Sequence, residues 1–427
     1  MEEDKQSKVG DWEARKYFMG FDWAKDHHEV LVLNREGQTV LDLQIKHTAE
    51  GWNVLHDKLV NLAGSDLSTI AATIETNCGP AVERLLVLGC TVYPLNPKAA
   101  QRYRDRKVPC GAKTDHLDAL SFADALRTDG HAWRQLKPED PKVQELRLMC
   151  RDEIQLIGQR TALINQLQHA LQEYYPAVLE AFEDWTIPAA WEFVIRFPTP
   201  EVLKQAGKRS WEKFLHVQHL YRSDTYPKRL EKFAWASEFC GNSAVTNAKS
   251  MLAVSVAKQL RVLQQQLKLY RDRIEKLFQE HPDHGLFGSL PGVGEKLGPR
   301  LLSECGDNRD RFEDSESLQC YAGTAPVSFQ SGQIHRVKFR RACNKHLRTA
   351  VHLWADLSRK KCTWAQVYYR QKREQGKSHA CALRCLGQRW LKILWKMWQT
   401  GTPYDERVHT ANQVRHGSWL LTLTTAE

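Results

Sequence analysis

Three apolar runs near the start of the chain leave few folds open. Residues 17–22 (YFMGFD), 29–33 (EVLVL) and 39–45 (TVLDLQI) alternate as strands do, and Asn34-Arg35-Glu36-Gly37 supplies a turn between the last two. Strands joined this closely predict a three-stranded antiparallel meander. A helix is then predicted over 49–62, with Trp52, Leu55, Leu59 and Leu62 on one stripe. A buried-type strand over 69–75 (TIAATIE), a helix over 80–88 and a strand over 91–95 follow. A meander followed by β–α–β alternation predicts a mixed sheet flanked by helices.

Carboxylates punctuate this domain at telling places. Asp22 ends the first strand and Glu75 ends the fourth. A further helix is predicted over 115–126, with Thr114 as N-cap, Leu117, Leu120 and Ala123 as packing face, and Asp115 and Asp118 in its first turn. The element order is that of the ribonuclease-H-like fold, which other α/β domains share. In that fold the first and fourth strands are adjacent, so Asp22 and Glu75 lie side by side, and a helix across the sheet brings Asp115 and Asp118 to the same edge. Four carboxylates gathered there cannot all ionise without cations. Two Mg²⁺ ions about 3.5–4 Å apart would neutralise them and suit phosphoryl displacement. The plainer alternative makes each acid a cap or surface group, and acids do favour helix N-termini.

Charge points the same way. Lys plus Arg number 61 against 51 Asp plus Glu, a net +10, which suits an acidic partner such as nucleic acid. Eleven cysteines with no CxxC pair predict reduced thiols in a cytosolic protein. No apolar run reaches the ~18 to 20 residues of a membrane span, and the charged opening residues lack a signal segment.

The remainder reads as helical. Residues 97–114 (PKAAQRYRDRKVPCGAKT) are basic and irregular. One long helix is predicted over 146–171 and a second over 250–279, where Val256, Leu260, Leu263, Leu267, Tyr270, Ile274 and Leu277 form a coiled-coil seam. These helices either pair with each other or meet across a dimer. Between them, 174–245 is an insertion rich in Trp and Phe. Leu290-Pro291-Gly292-Val293-Gly294 opens a helix as the hairpin of helix-hairpin-helix modules does, or as a plain helix connection does. Beyond it, Arg336, Lys338, Arg340, Arg341, Lys345 and Arg348 make a basic segment fit for phosphate contacts.

The stretches GFDWAKDHHEV, TIETNCGPA and AKTDHLDALSFADAL resemble the metal motifs of the DEDD transposases of bacterial insertion sequences, a group that includes Piv-type invertases. Leu290-Pro291-Gly292-Val293-Gly294, Gly323-Thr324-Ala325-Pro326, Ser331-Gly332 and Asn344…Leu347-Arg348 resemble that family's second conserved domain. The likeness covers residues 17–130 and 286–360, in the family's order.

That resemblance implies an α/β RNase H-like (RuvC-like) domain, a long helical coiled-coil region, and a small, mainly α-helical C-terminal Tnp domain. The corresponding bounds are a flexible lead-in over 1–16, the nuclease domain over 17–135, the helical region over 136–285, the Tnp domain over 286–400 and a tail over 401–427. It implies Mg²⁺ on Asp22, Glu75, Asp115 and Asp118, and a serine nucleophile at Ser331, with Ser328 as rival. Donor and target DNA, a structured guide (bridge) RNA, a homodimer or homotetramer, and a bacterial cytoplasmic, nucleoid-associated setting are implied as well. A serine ester conserves the phosphodiester energy that hydrolysis would discard, which suits a nucleophilic serine to strand exchange. A Holliday-junction-type nuclease using water and a non-catalytic nucleic-acid-binding protein are the alternatives.

Overall fold

Strand β1 (Tyr17–Asp22) is the centre of a five-stranded sheet of order β3-β2-β1-β4-β5. The computed structural model describes residues 12–108, 110–239 and 241–415, so most of the lead-in and the end of the tail lie outside the described residues. Strands β2 (His27–Asn34) and β3 (Thr39–Lys46) complete the antiparallel meander, while β4 (Ile70–Ile74) runs parallel to β1 and β5 (Thr91–Pro94) parallel to β4. The predicted meander and alternation are therefore present.

Strand alternation divides the sheet into two faces. Met19, Phe21, Val30, Ile70, Ala72 and Ile74 join the core beneath helices α1 (Ala49–Ala63) and α2 (Pro80–Val87). The opposite face carries Phe18, Gly20 and Asp22, and meets helix α4 (Asp115–Asp129). Helix α3 (Pro97–Lys107) falls where an irregular segment is predicted. Asn96 caps it, accepting from the Lys98 amide, and Pro97 occupies the first turn.

The approach of α4 to β1 is unusually close. A Cβ built on Gly20 would stand 1.9 Å from the Ala119 carbonyl oxygen. Ala119 and Ala123 are the buried α4 residues there, whereas the expected packing residues Leu117 and Leu120 are only half-buried. Small side chains set the distance, and the leucines are turned to its flanks. Since backbone is the obstacle, Gly20→Ala is expected to destabilise this unit by about 3 kcal/mol, at the upper end of overpacking costs. A shift in the urea midpoint checks this.

Contacts divide the chain into two units, Met1–Pro138 and Glu139–Glu427. The second is mostly helical. Helices α5 (Pro141–Tyr174) and α10 (Ser243–Glu280) pair antiparallel within the chain, with Lys142 meeting Glu280, Arg273 meeting Glu145 and Lys249 meeting Glu173. Exposed ion pairs contribute little. The buried seam of Val256, Leu260, Leu263, Leu267, Ile274 and Leu277 holds the pair.

The insertion folds as α6 (Pro176–Leu179), α7 (Pro188–Arg196), α8 (Pro200–Val217, kinked at Gly207) and α9 (Tyr226–Ser237). Trp191 and Trp211 are buried there, and their indole N–H groups donate to the Trp185 and Leu203 carbonyls. These tryptophans serve packing, whereas Trp235 is exposed.

Helices α11 (His284–Gly288), α12 (Gly294–Cys305), α13 (Ser315–Tyr321), α14 (Lys345–Ser358), α15 (Thr363–Glu374), α16 (His379–Thr400) and α17 (Glu406–Arg415) complete the unit. The Pro291 carbonyl accepts from the Trp354 indole, so the Gly-rich connection lies against α14. Between α13 and α14 stands a ribbon of β6 (Val327–Ser331) and β7 (Ile334–Lys338), where the sequence offers no strand prediction. Among the described residues no helix is long and apolar enough to cross a membrane.

Candidate active site

Register and alternation place the first two carboxylates. Phe21 pairs with Ile74 across the parallel β1–β4 ladder, so Asp22 and Glu75 are the next residues on adjacent strands. Asp22 shares the face of Gly20, and Glu75 continues the parity of Ala71 and Thr73, so both belong to the side that α4 covers. Thr114 caps α4 by accepting from the Leu117 amide at 3.1 Å, as predicted, which fixes Asp115 and Asp118 in its first turn. The close contact at Gly20 holds that turn over the strand ends.

The acids interact electrostatically. Burial, followed by the charges of Asp118, Asp115 and Glu75, pushes the Asp22 carboxyl from 3.8 up to about 7, with Lys113 opposing. Asp118 is only 4% exposed, and its Oδ1 accepts from Arg104 Nη1 on α3 at 2.6 Å. Lys107 pairs with Asp124 at 3.0 Å and the Tyr103 hydroxyl donates to Asp129 at 2.6 Å, which ties α3 along α4. Arg104 thus supplies one positive charge to a site that has too few.

Among the described residues no three ligating side chains converge closely enough, as oriented, to hold a metal ion. The donor set nevertheless fits one. Four carboxylates without cysteine or histidine are hard oxygen ligands of the kind Mg²⁺ takes, and their mutual repulsion is what a cation relieves.

Ser331 lies in the second unit, at the tip of the β6–β7 ribbon. It pairs with Ile334 across a two-residue loop, and Gly332 has φ +55°, the positive value that a type II′ hairpin requires at its first loop position. The register separates the two serines. Val327, Phe329 and Ser331 share one face with Ile334, Arg336 and Lys338, whereas Ser328 and Gln330 share the other with His335 and Val337. Ser331 is therefore on the basic face, and Ser328 is not.

The basic residues divide by their surroundings. Arg336 and Lys338 are exposed on β7, with Lys338 Nζ 5.3 Å from the Phe329 ring centroid. Arg340 donates to the Ala325 and Pro326 carbonyls, closing the ribbon's base. Arg348 lies over the Phe339 ring, while Lys345 begins α14 and Arg341 is exposed ahead of it.

Comparison with known proteins bears on both units. A DEDD transposase model of the IS110 type, described simply as a transposase, matches residues 19–176, and one described as transposase IS116/IS110/IS902 family matches 284–370. The chain is 33% identical over 404 residues to the "Mini-circle putative transposase for IS117" of Streptomyces coelicolor, covering 93% of this chain and 97% of that protein. The chain belongs to the IS116/IS110/IS902 transposase family.

This transposase is also 27% identical to the insertion element IS900 uncharacterized 42 kDa protein of Mycobacterium paratuberculosis, over 93% of this chain and 99% of that one. Over 129 residues it is 30% identical to the pilin gene-inverting protein of Moraxella bovis, covering 29% of this chain and 39% of that protein. The two matched segments hold the four carboxylates and Ser331 respectively.

At the neck of the transposase's ribbon stands a polar group of which the sequence singles out Asn344 but not Glu304 or Arg151. Glu304 on α12 is 2% exposed and accepts two hydrogen bonds from Arg151, at 2.7 and 2.8 Å, and one from Asn344 Nδ2 at 2.7 Å. Burial raises the Glu304 carboxyl, but the bonds from Arg151 and Asn344 outweigh it and hold the group below its usual range. Asn344 caps α14 through the Leu347 amide, and its own amide donates to the Tyr321 carbonyl, which closes the neck through which β6 and β7 leave the helices. The available signal was spacing: Leu297, Leu301 and Glu304 recur on one buried face of α12, with an acid at an apolar position.

Proposed function

We propose that this transposase cuts and rejoins DNA through a transient ester between Ser331 and a DNA phosphate, with Asp22, Glu75, Asp115 and Asp118 as ligands for Mg²⁺. The observation that carries the reading is the gathering of four carboxylates from β1, β4 and the first turn of α4 at one end of the sheet, in a chain of this family. The sheet order β3-β2-β1-β4-β5, with α4 across it, supports a RuvC-like assignment of the first unit. The antiparallel α5–α10 pair is the coiled-coil element.

Mg²⁺ held there would polarise the phosphate and lower the pKa of an attacking hydroxyl. The chain's own residues do the rest. Ser331 Oγ forms a bond to phosphorus as the bond from phosphorus to the departing strand oxygen breaks. The serine proton passes to solvent and the departing oxygen takes one up, so the phosphodiester count is conserved. Attack by the second strand's hydroxyl on the serine ester reverses these changes and frees Ser331. Arg336 and Lys338 hold flanking phosphates in this reading, which their position on the serine's face of the ribbon supports.

A guide RNA that pairs with donor and target DNA, and a homodimer or homotetramer, complete the reading. The family likeness and the net charge of +10 support the RNA. Preparations that recombine DNA after exhaustive RNase treatment would remove it from the account.

Substitution of the two serines tests the chemistry. Ser331→Ala is expected to lower strand joining by at least about 10³-fold, the scale on which loss of a covalent nucleophile acts, with DNA affinity retained. Ser328→Ala, on the ribbon's other face, is expected to stay within about threefold of the parent. Joining that survives Ser331→Ala would end the serine reading.

A further inference from the structure

Beside the base of the serine ribbon lies a pocket that neither the carboxylates nor Ser331 uses. It is a cavity of about 270 Å³ whose lining includes Phe339, Arg348 and Arg384 together with the apolar Val351, Leu353 and Leu383. Phe339 follows β7 directly and is 44% exposed. The Arg384 guanidinium carbon lies 4.9 Å from its ring centroid, and that of Arg348 lies 5.4 Å away.

Three features describe what would enter. A partly exposed aromatic ring with two guanidiniums against it, lining an apolar cavity, offers the flat surfaces on which an aromatic guest stacks. Neither guanidinium pairs with a carboxylate among the described residues; Asp356, the acid closest in sequence on α14, is engaged by Arg359 and Lys360. Two such guanidiniums suit a phosphate. His352, also in the lining, is kept below its ordinary pKa by burial, His379 and Arg384, so it adds a neutral hydrogen-bonding ring rather than a third charge.

We propose that this pocket takes one unstacked base of a single-stranded nucleic-acid segment, with the adjoining phosphate on Arg348 and Arg384. Aromatic rings and guanidinium planes stack on any base, since every base has a π face. Bases within a duplex are already stacked and cannot enter without being extruded. A phosphate-only site would not need Phe339 or the apolar wall. The inference rests on the reading that the chain acts on nucleic acid, and it adds a preference for unpaired strands located away from the serine.

Binding of the full-length protein to labelled oligo-dT, oligo-U and a DNA duplex of equal length, by fluorescence anisotropy, tests it. The expected result is single-strand binding that falls about tenfold, the effect of one lost base stack, in both Phe339→Ala and Arg384→Gln. Duplex affinity stays within about twofold, and Phe339→Trp keeps the parent affinity. Preference between oligo-dT and oligo-U tells whether the segment is DNA or RNA. Unchanged single-strand affinity in Arg384→Gln and Phe339→Ala, or an equal loss on duplex, overturns the pocket. A parent protein that binds duplex but no single strand also overturns it and leaves the DNA reading standing, whereas binding to none of the three removes both.

Discussion

Replacing Asp22 by asparagine is expected to abolish DNA strand cleavage and, in metal-free protein at pH 8, to raise thermal stability. Both effects come from one arrangement. The Asp22 carboxyl is pushed to about 7 by burial and by Asp118, Asp115 and Glu75. In the unfolded chain it titrates at the ordinary carboxylate value. Between about pH 4 and pH 7 the folded chain therefore binds a proton that the unfolded chain has released, and stability from this group declines as pH rises through that window. Above about pH 7 the penalty is complete. The asparagine side chain carries no charge, so the Asp22→Asn variant lacks this decline, and the difference between the two proteins isolates it from other titrations. Mg²⁺ bound by the folded state alone should restore the parent at pH 8 by mass action and leave the variant unmoved. Melting curves at pH 5 and pH 8, with and without Mg²⁺, check all of this. Cleavage should fall by at least on the order of 10²–10³-fold, the cost of losing one group that stabilises developing charge. A parent that melts at the same temperature with and without Mg²⁺ at pH 8 would contradict the metal assignment.

The second large effect is at the ribbon's neck. Glu304→Ala removes the buried carboxylate that accepts two hydrogen bonds from Arg151 and one from the Asn344 side-chain amide, while that amide keeps its bond to the Tyr321 hydroxyl at 2.8 Å. Removing one partner of a buried pair costs about 3–5 kcal/mol, and the lower part of that range is expected because Arg151 is itself partly exposed. The urea midpoint reports the loss. Glu304→Gln keeps an acceptor for Arg151 and should lose less. Because Asn344 both caps α14 and closes the neck, strand joining should fall further than DNA affinity does in either variant. Equal losses in joining and affinity would show that Glu304 supports the unit without positioning the ribbon.

How much of this was legible in the residues varies by element. The meander, the β–α–β alternation and the Thr114 cap follow from period-2 runs and turn chemistry, which act locally. Asp22 and Glu75 are readable as neighbours only through the fold, since each closes an apolar run and the first and fourth strands are adjacent in a ribonuclease-H-like sheet. The approach of α4 was not, since it depends on Gly20, Ala119 and Ala123 meeting across the domain, and small residues carry no hydrophobic periodicity. Residues 97–107 read as irregular in sequence because Lys98, Arg102, Arg104, Arg106 and Lys107 leave only Ala99, Ala100 and Tyr103 to mark the apolar stripe of α3, although Asn96-Pro97 is a readable start. The β6–β7 ribbon is exposed along both strands, so no burial pattern marks it. Only its register shows that Ser331, rather than Ser328, shares a face with Arg336 and Lys338.

The most direct test of the central claim is to trap the protein on a DNA substrate with Mg²⁺, digest it, and weigh the nucleotide-bearing peptide. One Mg²⁺-dependent adduct is expected, on the peptide that contains Ser331, and it is absent from both Ser331→Ala and Asp22→Asn. Cleaved DNA with no covalent peptide, or an adduct on any other residue, would contradict it.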